Sequence, residues 1–333
     1  MDNFTHSLAG WALGQAGLKR KTGLGMAALI LGANMPDIDV VLEPLFGLPS
    51  IQYHRGFTHG VGGVAIMPFL LACLLLALDR WQGKQGDRSA EARWWQQWNR
   101  RPLGRGTVRF GWLVALCYIG TLTHPALDFM NTYGIQLLAP FSERWFHGDT
   151  LFIIDVWVWS ILAFSIWLSR RWEKRKRTEW RRPAIVGLCA ALIYIGANGM
   201  LSLKAEHATR ALAQGFYGIS PDFVMAGEVP IAFWRREIIW RRGTTLGRTS
   251  YDALSGRMTA DETPTDTNMA DPAVAKAARQ DRQLAAFLNW SLVPVARVER
   301  GPDETLVKVG DARFSDARTA SGFSRTVRIA GDQ

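Results

Sequence analysis

Five short stretches of this chain carry imidazole, carboxylate and guanidinium groups where the surrounding residues are apolar. THSLAG contributes His6, and NMPDID contributes Asn34, Asp37 and Asp39. YHRGFTH contributes His54, Arg55 and His59; LTHPALD contributes His124 and Asp128, with Asn131 and Tyr133 following; GDTLFIID contributes Asp149 and Asp155. Histidine nitrogens with carboxylate oxygens and no sulfur are the donor set of Zn or Mn hydrolytic centres. A chain offering this many donors has enough for two or three divalent ions. The spacings suit such a centre. His124 and Asp128 stand four apart and project from one face of a helix. Asp37 and Asp39 follow Pro36, where a non-helical turn aims both at one point. Each piece also has an ordinary reading. A lone buried histidine is more often hydrogen-bonded than ligating, a DxD after proline serves as a helix stop, and Asp155 or Arg55 serves as an ion-pair partner. The joint pattern carries the expectation, because separate segments deliver the same chemistry.

The elements that must position these groups look built for lipid. Of 333 residues 48% are hydrophobic, and they concentrate before residue 205. Four runs, 61–78, 110–127, 152–168 and 184–203, approach the ~20 residues a helix needs to cross ~30 Å of hydrocarbon. Backbone groups in such runs must be satisfied internally, which makes them helices. Pro68 and Pro125 predict local kinks or broken turns, and Pro125 would be absorbed locally, as by a helix starting there. Many of the 15 tryptophans flank the runs, as indoles do at a membrane interface. Residues 4–18 and 24–35 are apolar but short, separated by Lys19, Arg20 and Lys21; they form a tight hairpin or two half-inserted helices. Cys73, Cys117 and Cys189 lie inside apolar runs with no CxxC partner and read as small buried hydrophobes.

The net charge of +10 would suit nucleic acid, but its placement argues against that partner. Residues 80–109 hold eight basic and two acidic side chains, and residues 169–183 the same, whereas the tail from Lys204 is nearly balanced. Basic loops between apolar runs are orientation signals and put both loops in the cytoplasm. The ionisable groups then fall at the outer ends of their helices, with His6 joining them in the hairpin arrangement. A charge at membrane depth costs about 2.5–3.5 kcal/mol even on the most forgiving scale, so a cluster demands compensation. His147 and His207 fall in loop and interfacial positions and are left out of it. The expected fold class is mainly α: a polytopic transmembrane helical bundle over residues 1–205, with an extracytoplasmic mixed α/β tail over 206–333. In that tail 229–240, 293–300 and 304–314 read as strands, 272–289 as a helix capped by Asp271 with Pro272 first, and 259–271 as a polar linker.

THSLAG, NMPDID, HRGFTH and HPALDFMNTYGIQLLAPFS, in this order and spacing, resemble the bacterial membrane-bound metal-dependent hydrolases sometimes called LexA-regulated. The resemblance spans residues 1–205, and FLNWSLVPVARVE with VKVGDARF is similar to the C-terminal region of longer members. It implies a multi-pass protein of the bacterial inner membrane with His6, Asp37, Asp39, His54, His59, His124 and Asp128 as metal ligands. Its HxxxD and TH motifs are also reminiscent of zinc-dependent phospholipase C. The expected function is a membrane-embedded hydrolase with divalent metal, Zn or else Mn, acting at the periplasmic face on a lipid or phosphoester. Asp149 or Asp155 would act as general base and Arg55 would neutralise an anionic substrate. The alternatives are a scaffold whose metal is structural, and a metal or ion transporter. Permeation needs polar groups through the whole depth, and 70–78 and 161–168 are almost wholly apolar.

Overall fold

The structure, a computed structural model, describes residues 1–46, 54–86, 107–260, 263–315 and 321–330. Most of the basic segment 80–109 therefore lies outside the described residues. Two units are distinct: Met1–Pro44 with Arg55–Gly196, and Leu45–His54 with Ala197–Gln333.

In the first unit, Asp2 accepts from the N–H groups of Phe4 and Thr5 and so starts α1 (Asn3–Gln15). A 3₁₀ turn at Leu18–Arg20 leads to α2 (Gly25–Asn34). A second 3₁₀ turn, Met35–Ile38, carries Asp37 and runs into α3 (Asp39–Phe46). The later helices are α4 (Val61–Gly86), α5 (Phe110–Phe129), α6 (Val156–Lys174) and α7 (Arg182–Tyr217).

α1 and α2 form an antiparallel hairpin, because Gly14 faces Met26, Gly10 faces Leu29 and Ser7 bonds Asn34. At 1.5 Å per residue its arms are only about 20 and 15 Å long. α2 is clasped from both sides. A Cβ at Gly10 of α1 would meet the Leu29 carbonyl oxygen at 2.6 Å, and one at Gly120 of α5 would meet it at 2.5 Å. Between helices in lipid there is little hydrophobic drive, and small residues that let backbones touch supply the association. Leu24, Leu29, Leu71, Leu75, Leu113 and Leu116 pack on one side of this clasp, and Leu8, Val158, Leu162 and Ile166 on the other.

Two expectations are corrected here. α5 passes through Pro125 as one helix rather than starting there. The run 152–168 becomes α6, which begins only at Val156, where Asp155 caps it, and ends in Arg170, Arg171, Glu173 and Lys174. Among the described residues three helices are long and apolar enough to cross a membrane: Val61–Gln82, Phe110–Phe129 and Arg182–Tyr217. α6 is not among them because its apolar part is only about four turns long.

In the second unit the last turns of α7 pack through Ala205 and Ala213 on an antiparallel sheet ordered β1 (Phe223–Glu228), β2 (Arg235–Arg242), β3 (Thr245–Asp252), β4 (Arg257–Ala260), with β5 (Thr265–Asp266) also on β3. Trp240 is fully buried there, over Gly247, where any side chain would strike its ring. A three-stranded antiparallel sheet follows, β6 (Pro294–Arg300), β7 (Glu304–Asp311) and β8 (Ser324–Ala330). The expected helix 272–289 is two, α8 (Pro272–Gln280) and α9 (Arg282–Trp290). Asp281 breaks it by adopting an extended backbone and capping α9 through Leu284 N–H. The expected linker 259–271 holds the end of β4 and all of β5.

Candidate metal centre

The clasp at Leu29 determines what meets one turn further on. His6 lies one turn before Gly10 on α1, His124 one turn after Gly120 on α5, and Asp37 just beyond the end of α2. The turn 54–60 supplies the fourth element. It is built on Arg55, whose backbone takes a left-handed φ of 62° and whose N–H donates to Asp39 Oδ2 at 3.0 Å.

Four donors converge: Asp37, His59, His124 and Asp128. His59 Nε2 and His124 Nε2 are 3.0 Å apart. Asp37 Oδ1 lies 3.4 Å from the first and 3.2 Å from the second. Asp128 Oδ2 lies 3.3 Å and 3.4 Å from them. His59, His124 and Asp128 are wholly buried, and the Asp37 side chain keeps 9% exposure.

The tautomers follow from the outer partners. His124 Nδ1 is 2.6 Å from the Ala33 carbonyl oxygen, which only accepts, so Nδ1 carries the proton. The Thr58 hydroxyl donates to Asp39 Oδ2 at 2.8 Å, so it accepts from His59 Nδ1 at 2.9 Å. Both imidazoles therefore present their Nε2 lone pairs to each other and to two carboxylates. A proton on one Nε2, or a cation bound by all four groups, makes that arrangement attractive. Bonds of about 2.0–2.2 Å to a tetrahedral ion would put its ligands about 3.3–3.6 Å apart, close to the five separations given above. Two carboxylates also neutralise one divalent charge.

Around the four lies an outer ring. Arg55, buried, places Nε 3.2 Å from Asp128 Oδ2, donates from Nη1 to Asn131 Oδ1 at 3.0 Å and stacks its guanidinium on Tyr133. Such partners orient ligands and hold them ionised. His6 stacks on the His124 ring with centroids 3.7 Å apart and brings Nε2 to 3.3 Å from Asp128 Oδ1, the oxygen that the Met1 amine also contacts. Among the described residues neither ring nitrogen of His6 has a hydrogen bond.

The other expected site residues are placed as follows. Asp39 receives the Thr58 hydroxyl and the Arg55 N–H, on the Nδ1 side of His59. His54, part-buried, precedes the Arg55 turn and falls with the segment Leu45–His54 of the second unit. Asp149 pairs with His147 at 3.0 Å. Asp155 caps α6 through Trp157 and Val158 N–H and accepts from Tyr194 at 3.1 Å. Sequence reasoning missed Thr58 and the Ala33 carbonyl. The TH dipeptide was the only signal for the first, and a backbone carbonyl leaves none.

A helical unit with three membrane-length apolar helices and a buried His–Asp cluster defines a membrane protein with a candidate metal centre. Residues 1–205 match the family described as YdjM inner membrane protein, and the chain belongs to that family. It is also similar to the uncharacterized protein YfhP of Bacillus subtilis (strain 168), 24% identical over 324 residues that cover 94% of this chain and 87% of the relative. No solved structure matches the chain. These comparisons support the membrane part of the resemblance and leave its hydrolase and phospholipase C parts without support.

Proposed function

We propose that the first unit is a multi-pass domain of the bacterial inner membrane that binds a divalent metal ion and uses it for hydrolysis at the outer face, with the tail extracytoplasmic. The observation that carries this reading is the convergence of two imidazole lone pairs and two carboxylate oxygens in a buried site. Orientation follows from the opposite end of the same unit. The Lys19–Lys21 turn meets Trp180 and Glu173 of the basic segment 169–183, and Thr22 meets Arg109 at the start of α5. The basic ends thus gather about 21 Å, fourteen residues of α5, from His124. That end faces the cytoplasm.

His59, His124, Asp37 and Asp128 would hold the ion, Zn by preference of the donor set and Mn otherwise, with His6 on the second oxygen of Asp128 for a further ion. A bound ion supplies a water acidic enough to ionise near neutral pH and polarises a phosphoryl or acyl oxygen. Arg55 keeps Asp128 ionised and aimed. Asp37, the least buried of the four, marks the edge where a lipid or phosphoester substrate enters. Asp155 is engaged as a helix cap, so Asp149, oriented by His147, is the proton acceptor of this proposal. A second reading, a scaffold with a structural ion, is favoured by the burial of three of the four donors, since structural sites are closed and catalytic ones keep an open position.

Elemental analysis of the detergent-purified protein and of His124→Ala, beside hydrolysis of a phosphoester and lipid panel with and without chelator, separates these readings. Bound metal with chelator-sensitive turnover, both lost in His124→Ala, is the expected result. Bound metal with no turnover, and a melting temperature that drops on chelation, selects the scaffold. A protein that takes up no metal sinks both.

A further inference from the structure

The end of the first unit remote from the metal centre holds a cavity of about 470 Å³ between α1, α2 and α6. One wall is apolar, made by Trp11, Met26 and Ile30. The other is cationic, made by Lys19, Arg170 and Lys174, with Glu173 as its one carboxylate. Glu173 is already engaged by Lys19 and Arg20, so it offsets a charge within the wall rather than facing an incoming cation. Arg170 lies over the Trp11 ring at 5.1 Å, which places a guanidinium at the junction of the two walls. The setting is a belt of indoles and cations: Lys19 and Arg20 lie over Trp180, and Lys21 over Trp112. Such belts sit at headgroup level, where anionic lipids gather against basic side chains.

We propose that this cavity binds one anionic phospholipid, its phosphodiester on Arg170 and Lys174 and the start of an acyl chain along Trp11, Met26 and Ile30. A free phosphate would leave the apolar wall unused, and a zwitterionic lipid would bring its own cation against three others. The site is independent of the metal centre and needs no hydrolysis.

The test uses the full chain in mild detergent, titrated with phosphatidylglycerol bearing brominated chains, with phosphatidylcholine bearing the same chains, and with inorganic phosphate. Native mass spectrometry counts bound lipid, and quenching of tryptophan fluorescence, compared with Trp11→Phe, locates the chain. Phosphatidylglycerol should bind where phosphatidylcholine does not and should quench Trp11. Arg170→Gln with Lys174→Gln should weaken it by roughly tenfold or more, as expected of two lost cations near a lipid surface. Ile30→Phe, which leaves every charge in place and fills the apolar wall, should also weaken it. Equal binding of the two lipids, or unchanged binding by the double variant and by Ile30→Phe, would overturn the proposal. So would displacement of the lipid by inorganic phosphate, which would make this a site for free anions. Metal content, measured in parallel, should be unchanged in all three variants.

Discussion

Gly120→Ala tests how the metal centre is positioned without touching any ligand. The added Cβ would lie 2.5 Å from the Leu29 carbonyl oxygen and 3.1 Å from Leu29 Cα and Ala33 N. A carbon rests on a carbonyl oxygen at about 3.3–3.6 Å, so α5 must retreat from α2 by roughly 0.8 Å or more. α2 has little freedom to shift toward α1 instead, because Gly10 of α1 touches the same carbonyl as closely. His124 and Asp128, one and two turns along α5, then move away from Asp37. Metal bonds tolerate only about 0.2 Å, so the displacement is decisive for affinity. The expected effects are a fall of about 10–100-fold in metal affinity, the range seen when supporting groups are removed, and about 1–3 kcal/mol of overpacking. Competition against a chelator of known affinity measures the first, and thermal unfolding in detergent with and without metal measures the second. Gly111→Ala is the control. It lies at the start of the same helix with nothing within 4 Å of its added carbon, and it should leave affinity unchanged while helping the helix slightly. If Gly120→Ala held metal within about twofold of the native protein, the clasp at Leu29 would not be what positions the centre.

Two further outcomes are expected. Thr58→Val removes the acceptor that fixes the His59 tautomer, and metal affinity should fall by about 10–100-fold while the far-UV circular dichroism stays native; unchanged affinity would show that another group sets the tautomer. In the second unit, burial would raise the Asp311 carboxyl, but Arg313, Ser291 and backbone N–H groups outweigh it and hold it below the ordinary value. A depressed carboxyl stabilises fully above its unfolded value, about 3.9, and the contribution is lost as pH falls through the lower folded one. The near-ultraviolet signal of Trp290, stacked on Phe314 and Phe323, should fade over that acid window in the native protein. In Asp311→Asn the dependence should flatten, and an identical acid titration would remove Asp311 from the account.

The donor types were legible from residue chemistry alone, since His59, His124, Asp37 and Asp128 stand in apolar surroundings that make any other use costly. Which atom faces which was not. The difference between Asp37, aimed at both Nε2 atoms, and Asp39, placed on the far side of His59, depends on a 3₁₀ turn and a left-handed Arg55 that no periodicity announces. Long apolar helices declared themselves by length, yet 152–168 did not separate its capped start from its apolar body, because Asp155 reads equally as a buried acid and as a helix cap. Gly10 and Gly120 carry no chemical signal in sequence; their meaning lies in a shared contact across three helices. In the tail, β2, β6 and β7 were legible within 229–240, 293–300 and 304–314, whereas β1, β3, β4, β5 and β8 are short or polar runs that did not announce themselves, and the break at Asp281 required knowing that its carboxylate would turn back to Leu284.

The electrostatic account of the first unit leads back to the cation. Counting side chains, Asp37, Asp39 and Asp128 bring three negative charges into a space where His59 and His124 point lone pairs inward and Arg55 supplies one positive charge. Buried charges persist when they are paired, and breaking such a pair costs about 3–5 kcal/mol. Protonating both imidazoles would balance the count, but it would set two N–H groups against each other at 3.0 Å, a repulsive contact. A single divalent ion would offset the side-chain charges, beside the Met1 amine already at Asp128, and would turn each inward lone pair into a bond. It does so with Nδ1 of His124 and of His59 already occupied by the Ala33 carbonyl and the Thr58 hydroxyl, which leaves Nε2 as the nitrogen free to ligate.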